Sequence, residues 1–198
     1  SSIGDIVLTT PVIRCLKQQL AEVEIHFLTK KKFYAILKEN PHLSKIHYIE
    51  KDISEVIDYL KQEKFDFIVD LHKNLRSLGV IIRLRKPYSS FTKLNVRKWL
   101  LTNFKINLMP DLHIVERYFK AVKKLNVRSD GKGLEYFIPE EDRGAMYDIA
   151  REFTDGYIAW AIGGAHYTKI FPAQKIIEVI NTINYPIILL GGIDDRER

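Results

Sequence analysis

The sequence predicts an α/β protein assembled from parallel βαβ units, and three observations lead there. Near-continuous apolar runs such as Phe65-Asp66-Phe67-Ile68-Val69-Asp70-Leu71 suit strands covered on both faces. Segments with apolar residues at helical spacing separate those runs. Parallel strands need such crossover helices, so the alternation points to a doubly wound sheet, with ligands expected beyond the carboxyl ends of its strands.

Pro11 to Leu20 reads as a helix with its proline in the first turn, where a missing N–H costs nothing. Glu24 to Thr29 is a short strand, Phe33 to Glu39 a helix stopped by Asn40-Pro41, and Ile46 to Ile49 a second strand. Ser54 to Lys64 is helical ahead of the Phe65 to Leu71 strand. Leu75 to Leu84 is again helical, Tyr88 to Lys93 extended and Val96 to Asn103 helical. His113 to Leu125 forms a longer helix with Ile114, Tyr118, Val122 and Leu125 on one side. A polar, glycine-containing stretch from Asn126 to Lys132 precedes a strand at Leu134 to Ile138 and a helix at Glu140 to Phe153. A fresh strand-turn-helix pattern opens at Tyr157 to Ile162, turns at Gly163-Gly164, enters a helix at Pro172 and reaches a strand at Pro186 to Leu190. The expected organisation is a front α/β domain with its linker over 1–153 and the start of a back domain over 154–198, cut short of a full nucleotide-binding half.

A hydrophobic fraction of 46% with 28% charged residues is that of a folding globular chain, which 198 residues suffice to build. Cys15 is the sole cysteine, which rules out an internal disulfide and a cysteine-based zinc site and fits a reducing cytosol. No apolar run approaches the ~20 residues of a membrane helix. The net charge of +6 is concentrated: residues 71–110 hold nine Lys or Arg and no Asp or Glu. Such a segment either forms solvated helix faces or draws in an anionic partner, whether phosphorylated lipid, an anionic bilayer or nucleic acid.

Ser1-Ser2-Ile3-Gly4-Asp5 packs two hydroxyls, a glycine and a carboxylate into a turn before a helix. Glycine allows a ligand close to the backbone, while Ser, Asp and the following Thr9 and Thr10 equally suit plain helix capping. Neither a P-loop nor a Gly-x-Gly-x-x-Gly dinucleotide fingerprint occurs. His26, His42, His47 and His166 show no metal-ligand spacing, so no metal is assigned, and Trp99, Phe104 and Tyr118 are expected to fill cores.

The run Ser1-Ser2-Ile3-Gly4-Asp5-Ile6-Val7-Leu8-Thr9-Thr10-Pro11-Val12-Ile13-Arg14 resembles the opening motif of family 9 glycosyltransferases, the lipopolysaccharide heptosyltransferases. Three further stretches resemble the family in the same order: Phe65 to Ser77, with its Asp70-Leu71 and polar loop; His113-Ile114-Val115-Glu116-Arg117-Tyr118; and Gly163-Gly164-Ala165-His166-Tyr167-Thr168-Lys169-Ile170-Phe171-Pro172.

The resemblance implies two facing doubly wound domains of the GT-B type, the family's first strand lying just before Ser1, and an inverting transfer without an essential metal or other cofactor. It makes Asp5 the base that deprotonates the acceptor hydroxyl. Lys169 is then the charge that meets the departing nucleotide diphosphate, or else a surface lysine. On the donor side Gly4, Gly163 and Gly164 admit the diphosphate or only turn the chain, and Thr168 binds phosphate or caps the next helix.

Ser1, Ser2, His72, Lys73 and Arg76 are expected near the acceptor, with Arg76 otherwise a helix-surface residue. His113 and Arg117, four apart on one helix face, either join them or anchor the helix through an ion pair with Glu116 or Asp111. The implied donor is ADP-heptose, and the implied acceptor is an anionic glycolipid bearing Kdo sugars. The implied setting is the cytoplasm, with peripheral contact at the inner membrane through the basic segment and no nucleic acid. The rival expectation is a non-catalytic α/β module that uses the 73–105 segment to bind nucleic acid or anionic lipid.

Overall fold

In the computed structural model, which describes residues 2–143, 153, 155–164 and 167–195, the chain divides into two units, Ser1–Phe137 and Ile138–Arg198. The first opens with helix α1 (Ile3–Val7), where a turn ahead of a helix was expected. The three-residue spacing of Ser2 and Asp5 accounts for the difference. Ser2 Oγ accepts the Asp5 N–H at 3.2 Å while the Asp5 carboxylate accepts the Ser2 N–H at 2.8 Å, a reciprocal capping box that satisfies two otherwise orphaned donors. Helix α2 (Thr10–Gln19) follows with Pro11 in its first turn. Thr9 and Thr10 do not cap it; their hydroxyls donate back to the carbonyls of Ile6 and Val7 at 2.7 and 2.8 Å.

Strand β1 (His26–Lys30) pairs in parallel with β2 (Lys45–Ile49), joined through a 3₁₀ turn and helix α3 (Tyr34–Leu37). Helix α4 (Ile57–Gln62) leads to β3 (Ile68–Asp70), which pairs in parallel with β4 (Tyr88–Ser90) across helix α5 (Leu75–Leu84). Helices α6 (Asn95–Phe104) and α7 (Ile114–Val122) complete the unit. Three apolar clusters hold it together: Val12, Cys15 and Leu16 of α2 against Phe91, Tyr118, Ala121 and Val122; Ile57 and Leu60 of α4 against Val80; and Ile6 against Phe33 and Leu37. Cys15 is fully buried and behaves as a small hydrophobe. Helix α6 departs from expectation: Tyr118 is buried, but Trp99 and Phe104 are more than half exposed and meet edge-to-face on the surface, and α6 buries none of its residues.

Leu134 to Ile138, expected as a strand, pairs with none. The Glu135 N–H donates to Thr10 Oγ1 at 3.0 Å, so this stretch is tied side-on to α2 rather than to a strand edge. The tie is completed by Arg14, which is 1% exposed on the buried face of α2. Its Nε and Nη2 donate to the two oxygens of Asp130 at 2.8 Å each, Nη2 also reaches the Gly133 carbonyl at 3.0 Å, and Nη1 lies 3.0 Å from Glu135 Oε1. A buried guanidinium requires such a fork of partners, because desolvating it unpaired would cost several kcal/mol.

In the second unit β5 (Ile158–Ala161) pairs in parallel with β6 (Ile187–Leu190) across helix α8 (Ala173–Ile180), which Pro172 immediately precedes. Residues 140–143 are helical, and 144–152 of the expected Glu140 to Phe153 helix lie outside the described residues. Among the described residues no helix is long and apolar enough to cross a membrane.

Hydrogen bonds from Arg14 hold the Asp130 carboxyl well below the usual carboxylate range. A depressed carboxyl contributes stability that is present above its unfolded value and lost as pH falls through its folded one. Asp130→Ala is therefore expected to destabilise the fold by about 3 kcal/mol at neutral pH, read from urea unfolding. The gap to the wild type should narrow once pH drops below about 4. A gap that persists undiminished at lower pH would contradict the assignment.

Candidate active site

Of the sequence-predicted residues of the first unit, His72 and Lys73 follow the carboxyl end of β3 directly, and the Asp5 charge reaches His72. Asp70, 7% exposed, ends that strand and organises the loop that leads into α5. Its Oδ1 accepts the N–H groups of His72 and Lys73 at 2.9 and 2.7 Å, and its Oδ2 accepts the Ser77 hydroxyl at 2.8 Å. Held this way, Lys73 takes a left-handed φ of 49°, a conformation unfavourable for a side-chain-bearing residue and tolerated where surrounding bonds over-determine it. Asn74 then caps α5 by accepting the Ser77 N–H at 2.9 Å, and its amide lies 3.0 Å from the His72 ring.

Asp5 lies at the surface and senses this loop. Partial desolvation works against its ionisation, but bonds from the Ser2 backbone and hydroxyl, with the nearby His72, outweigh it and hold the carboxyl below its ordinary value. Burial, helped by Lys93, pushes the His72 imidazole down while Asp70 and Asp5 pull it up. Burial and then the Asp5 charge push the Tyr118 phenol up. The Asp5 charge is thus felt by two groups from other parts of the chain, the His72 imidazole and the Tyr118 phenol. A Cβ at Gly4 would meet only Ser2 Oγ, at 3.8 Å, so the fold itself does not demand glycine beside Asp5.

The expected acceptor cations brace the segment after β4. Lys73 Nζ donates to the Phe91 carbonyl at 3.2 Å, and Arg117 Nη2 to the Thr92 carbonyl at 2.6 Å, with its guanidinium 5.6 Å over the Phe91 ring. Phe91 in turn packs edge-on against Tyr118 at 4.9 Å. Arg117 is therefore anchored through Thr92 rather than through Glu116 or Asp111. His113 is the N-cap of α7, its Nδ1 accepting the Val115 N–H at 3.3 Å. Arg76 is exposed on the first turn of α5, and Ser1 lies outside the described residues. Sequence reasoning passed over the individual parts of Asp70, Asn74, Lys93 and Tyr118; the Asp70-x-His72 and Asn74-x-x-Ser77 spacings carried the turn and cap signals for the first two.

In the second unit Gly163 and Gly164 follow β5, and Lys169 and Thr168 stand exposed in a 3₁₀ turn over Tyr167–Lys169. Ala165 and His166 lie outside the described residues. Here the space around the glycines is tighter. A Cβ at Gly163 would sit 2.6 Å from Asp195 Oδ2, the same oxygen that accepts the Gly192 N–H at 2.8 Å, and one at Gly164 would meet the Lys169 carbonyl at 3.3 Å. Helix α8 has no side-chain cap, so Thr168 does not serve as one.

Three solved structures share this fold over the whole chain. A family 9 glycosyl transferase from Veillonella parvula superposes with a TM-score of 0.77 at 21% identity, covering 62% of that chain. Escherichia coli heptosyltransferase WaaC with ADP gives 0.67 at 17% and 66%. The E. coli ADP-heptose lps heptosyltransferase II gives 0.64 at 17% and 64%. The architecture is that of the doubly wound, GT-B type glycosyltransferases. The sequence model described as glycosyltransferase family 9 (heptosyltransferase) matches residues 53–198, and the chain belongs to that family. It is 23% identical over 192 residues to lipopolysaccharide heptosyltransferase 1 of Campylobacter coli, matching 89% of this chain and 56% of that one. With lipopolysaccharide heptosyltransferase 3 of E. coli K12 it is 24% identical over 216 residues, matching 96% and 60%. The chain thus spans well under two thirds of these curated relatives' length.

The coupling between Asp5 and His72 has a direct readout. Replacing Asp5 by Asn removes a negative charge that favours the imidazolium, so the His72 titration followed by NMR should move to lower pH. An unmoved titration would show that the two groups do not sense each other.

Proposed function

We propose that the protein is an inverting glycosyltransferase that moves a heptose from ADP-heptose to the inner core of lipopolysaccharide. The observation that carries this reading is the placement of an ionised Asp5, fixed by Ser2, within charge-coupling range of His72 beyond the carboxyl end of β3. Its support comes also from the family match and from relatives described as lipopolysaccharide heptosyltransferases, and from a similar structure solved with ADP.

In a single displacement, the acceptor hydroxyl oxygen forms the new bond to the anomeric carbon, the bond from that carbon to the diphosphate breaks, and the diphosphate departs with the electron pair. Asp5 takes the hydroxyl proton. A carboxylate held below its ordinary pKa is a weak base towards a free hydroxyl, so proton transfer accompanies the attack rather than preceding it. Lys169 meets the negative charge developing on the leaving group, with Thr168 and the bare backbone at Gly163 and Gly164 on the same donor side. Gly4, which the fold leaves free of steric demand, gives ligand access to the backbone beside Asp5. Ser2, His72, Lys73, Arg76, His113 and Arg117 form the acceptor side, where cations suit a carboxylate-bearing glycolipid. The basic 73–105 segment would set the protein against the anionic cytoplasmic face of the inner membrane.

In the intact enzyme, Asp5→Asn is expected to lower turnover by about 100- to 10,000-fold while leaving ADP affinity unchanged, by steady-state kinetics and calorimetry. Equal turnover would remove Asp5 from the chemistry. Lys169→Ala should weaken donor binding and turnover together, and unaltered kinetics would end its assignment to the diphosphate. The exposed basic helix α6 favours a second reading, an anion-binding module without catalysis. Oligonucleotide binding that falls steeply with salt, in the absence of saturable ADP binding, would select it.

A further inference from the structure

Far from the Asp5 grouping in sequence and in role, β1 and β2 bring two histidines face to face. In their parallel register His26 lies opposite Lys45 and Leu28 opposite His47, so His26 and His47 project from the same face two residues apart. Both are largely buried, with side chains 11% and 8% exposed. His26 Nδ1 and His47 Nε2 approach to 3.1 Å. Phe65 walls the pair, edge-on to both rings at 5.2 and 6.3 Å. Glu63, just past α4, supplies a carboxylate 3.9 Å from His26 Nδ1 and 4.0 Å from His47 Nε2. The three ligand atoms all fall within 4.8 Å of one another.

From this geometry we infer that His26, His47 and Glu63 form a binding site for a divalent transition-metal cation of the zinc class. Two imidazole nitrogens on one tetrahedral zinc, each at ~2.05 Å, stand about 3.3 Å apart, close to the separation found here. The Glu63 oxygens lie roughly half an ångström beyond that spacing, within reach of a modest turn of a partly buried carboxylate. Two imidazoles and one carboxylate favour zinc and its neighbours over magnesium or calcium, which prefer oxygen. The three residues leave a fourth coordination position for water. Behind the site, the exposed Glu24 carboxylate lies 3.9 Å from the other nitrogen of His26, beyond hydrogen-bond distance but close enough to add to the negative field at the cation. Opposing the cation is Lys45, whose ammonium is ion-paired with Glu63 and must give way when a metal binds. An ion at this point would tie β1, β2 and the segment after α4 together, so it would act on stability rather than on the transfer chemistry.

The test uses the intact protein stripped with a chelator and titrated calorimetrically with Zn²⁺, with Co²⁺ as a spectroscopic probe. One equivalent of Zn²⁺ is expected to bind, the thermal midpoint to rise with free Zn²⁺, and Co²⁺ to develop the visible absorption of a low-coordinate nitrogen and oxygen site. Mg²⁺ and Ca²⁺ should neither bind at this site nor shift the midpoint. Glu63→Gln and His47→Ala should each weaken Zn²⁺ binding by more than about tenfold. Lys45→Met, which keeps every ligand and removes the competing ammonium, should tighten it, so the site stays testable even if His47→Ala fails to fold. Absence of Zn²⁺ binding, affinity unchanged by Glu63→Gln, or no tightening in Lys45→Met would overturn the assignment.

Discussion

The carboxylate of Asp70 sits in the interior at the end of β3, and the architecture of the first unit's candidate site comes from satisfying it. Burying a carboxylate is costly unless donors surround it. Here the donors are two successive backbone N–H groups and one hydroxyl, all from the seven residues downstream. Meeting that demand bends the chain sharply, forces Lys73 across into the left-handed region and delivers Ser77 where α5 can begin. His72 is carried on this bend, half-buried and within range of the Asp5 charge. One desolvated charge thus sets the loop path, the start of a helix and the position of a titratable ring.

The basic segment shows how a strong local field coexists with a well-ordered surface. Lys73 and Arg97 each donate to a main-chain carbonyl, those of Phe91 and Leu108, as Arg117 beyond the segment does to that of Thr92. Carbonyls are neutral acceptors, so these bonds fix the side chains without cancelling their charge. A carboxylate partner would have ordered them at the expense of the field, and residues 71–110 contain none. The positive potential available to an anionic ligand is therefore preserved by the very contacts that hold the loops in place.

Much of the fold was legible because it rests on local periodicity. Leu75 to Leu84 emerges as a helix with the expected bounds, since its apolar spacing and the Asn74 cap agree. Leu134 to Ile138 was misread for a reason that no local pattern reveals. Its short apolar run looks like a strand, but its backbone is claimed by Thr10 and its flank by Arg14, residues over a hundred positions away. The same limit applies to His26 and His47, which are unrelated by spacing and brought together only by strand register. At the candidate site, Asp5 and the loop after Asp70 were singled out through motif resemblance, whereas Tyr118 was assigned to the core. It is indeed buried, yet it also feels the charge of Asp5, a long-range effect to which side-chain type gives no clue.

The capping box at α1 joins the proton-accepting duty proposed for Asp5 to a structural one. An unconstrained aspartate samples several rotamers, and immobilising a side chain commonly costs on the order of 1 kcal/mol. Here that freedom is surrendered when α1 forms, before any ligand arrives, so a proton acceptor at this position would meet its substrate already oriented. The arrangement also makes the residue fragile to change. Whatever removes its carboxylate unfastens the first turn of α1 as well, and Ser2, through the capping bonds alone, becomes a determinant of how well that carboxylate is aimed.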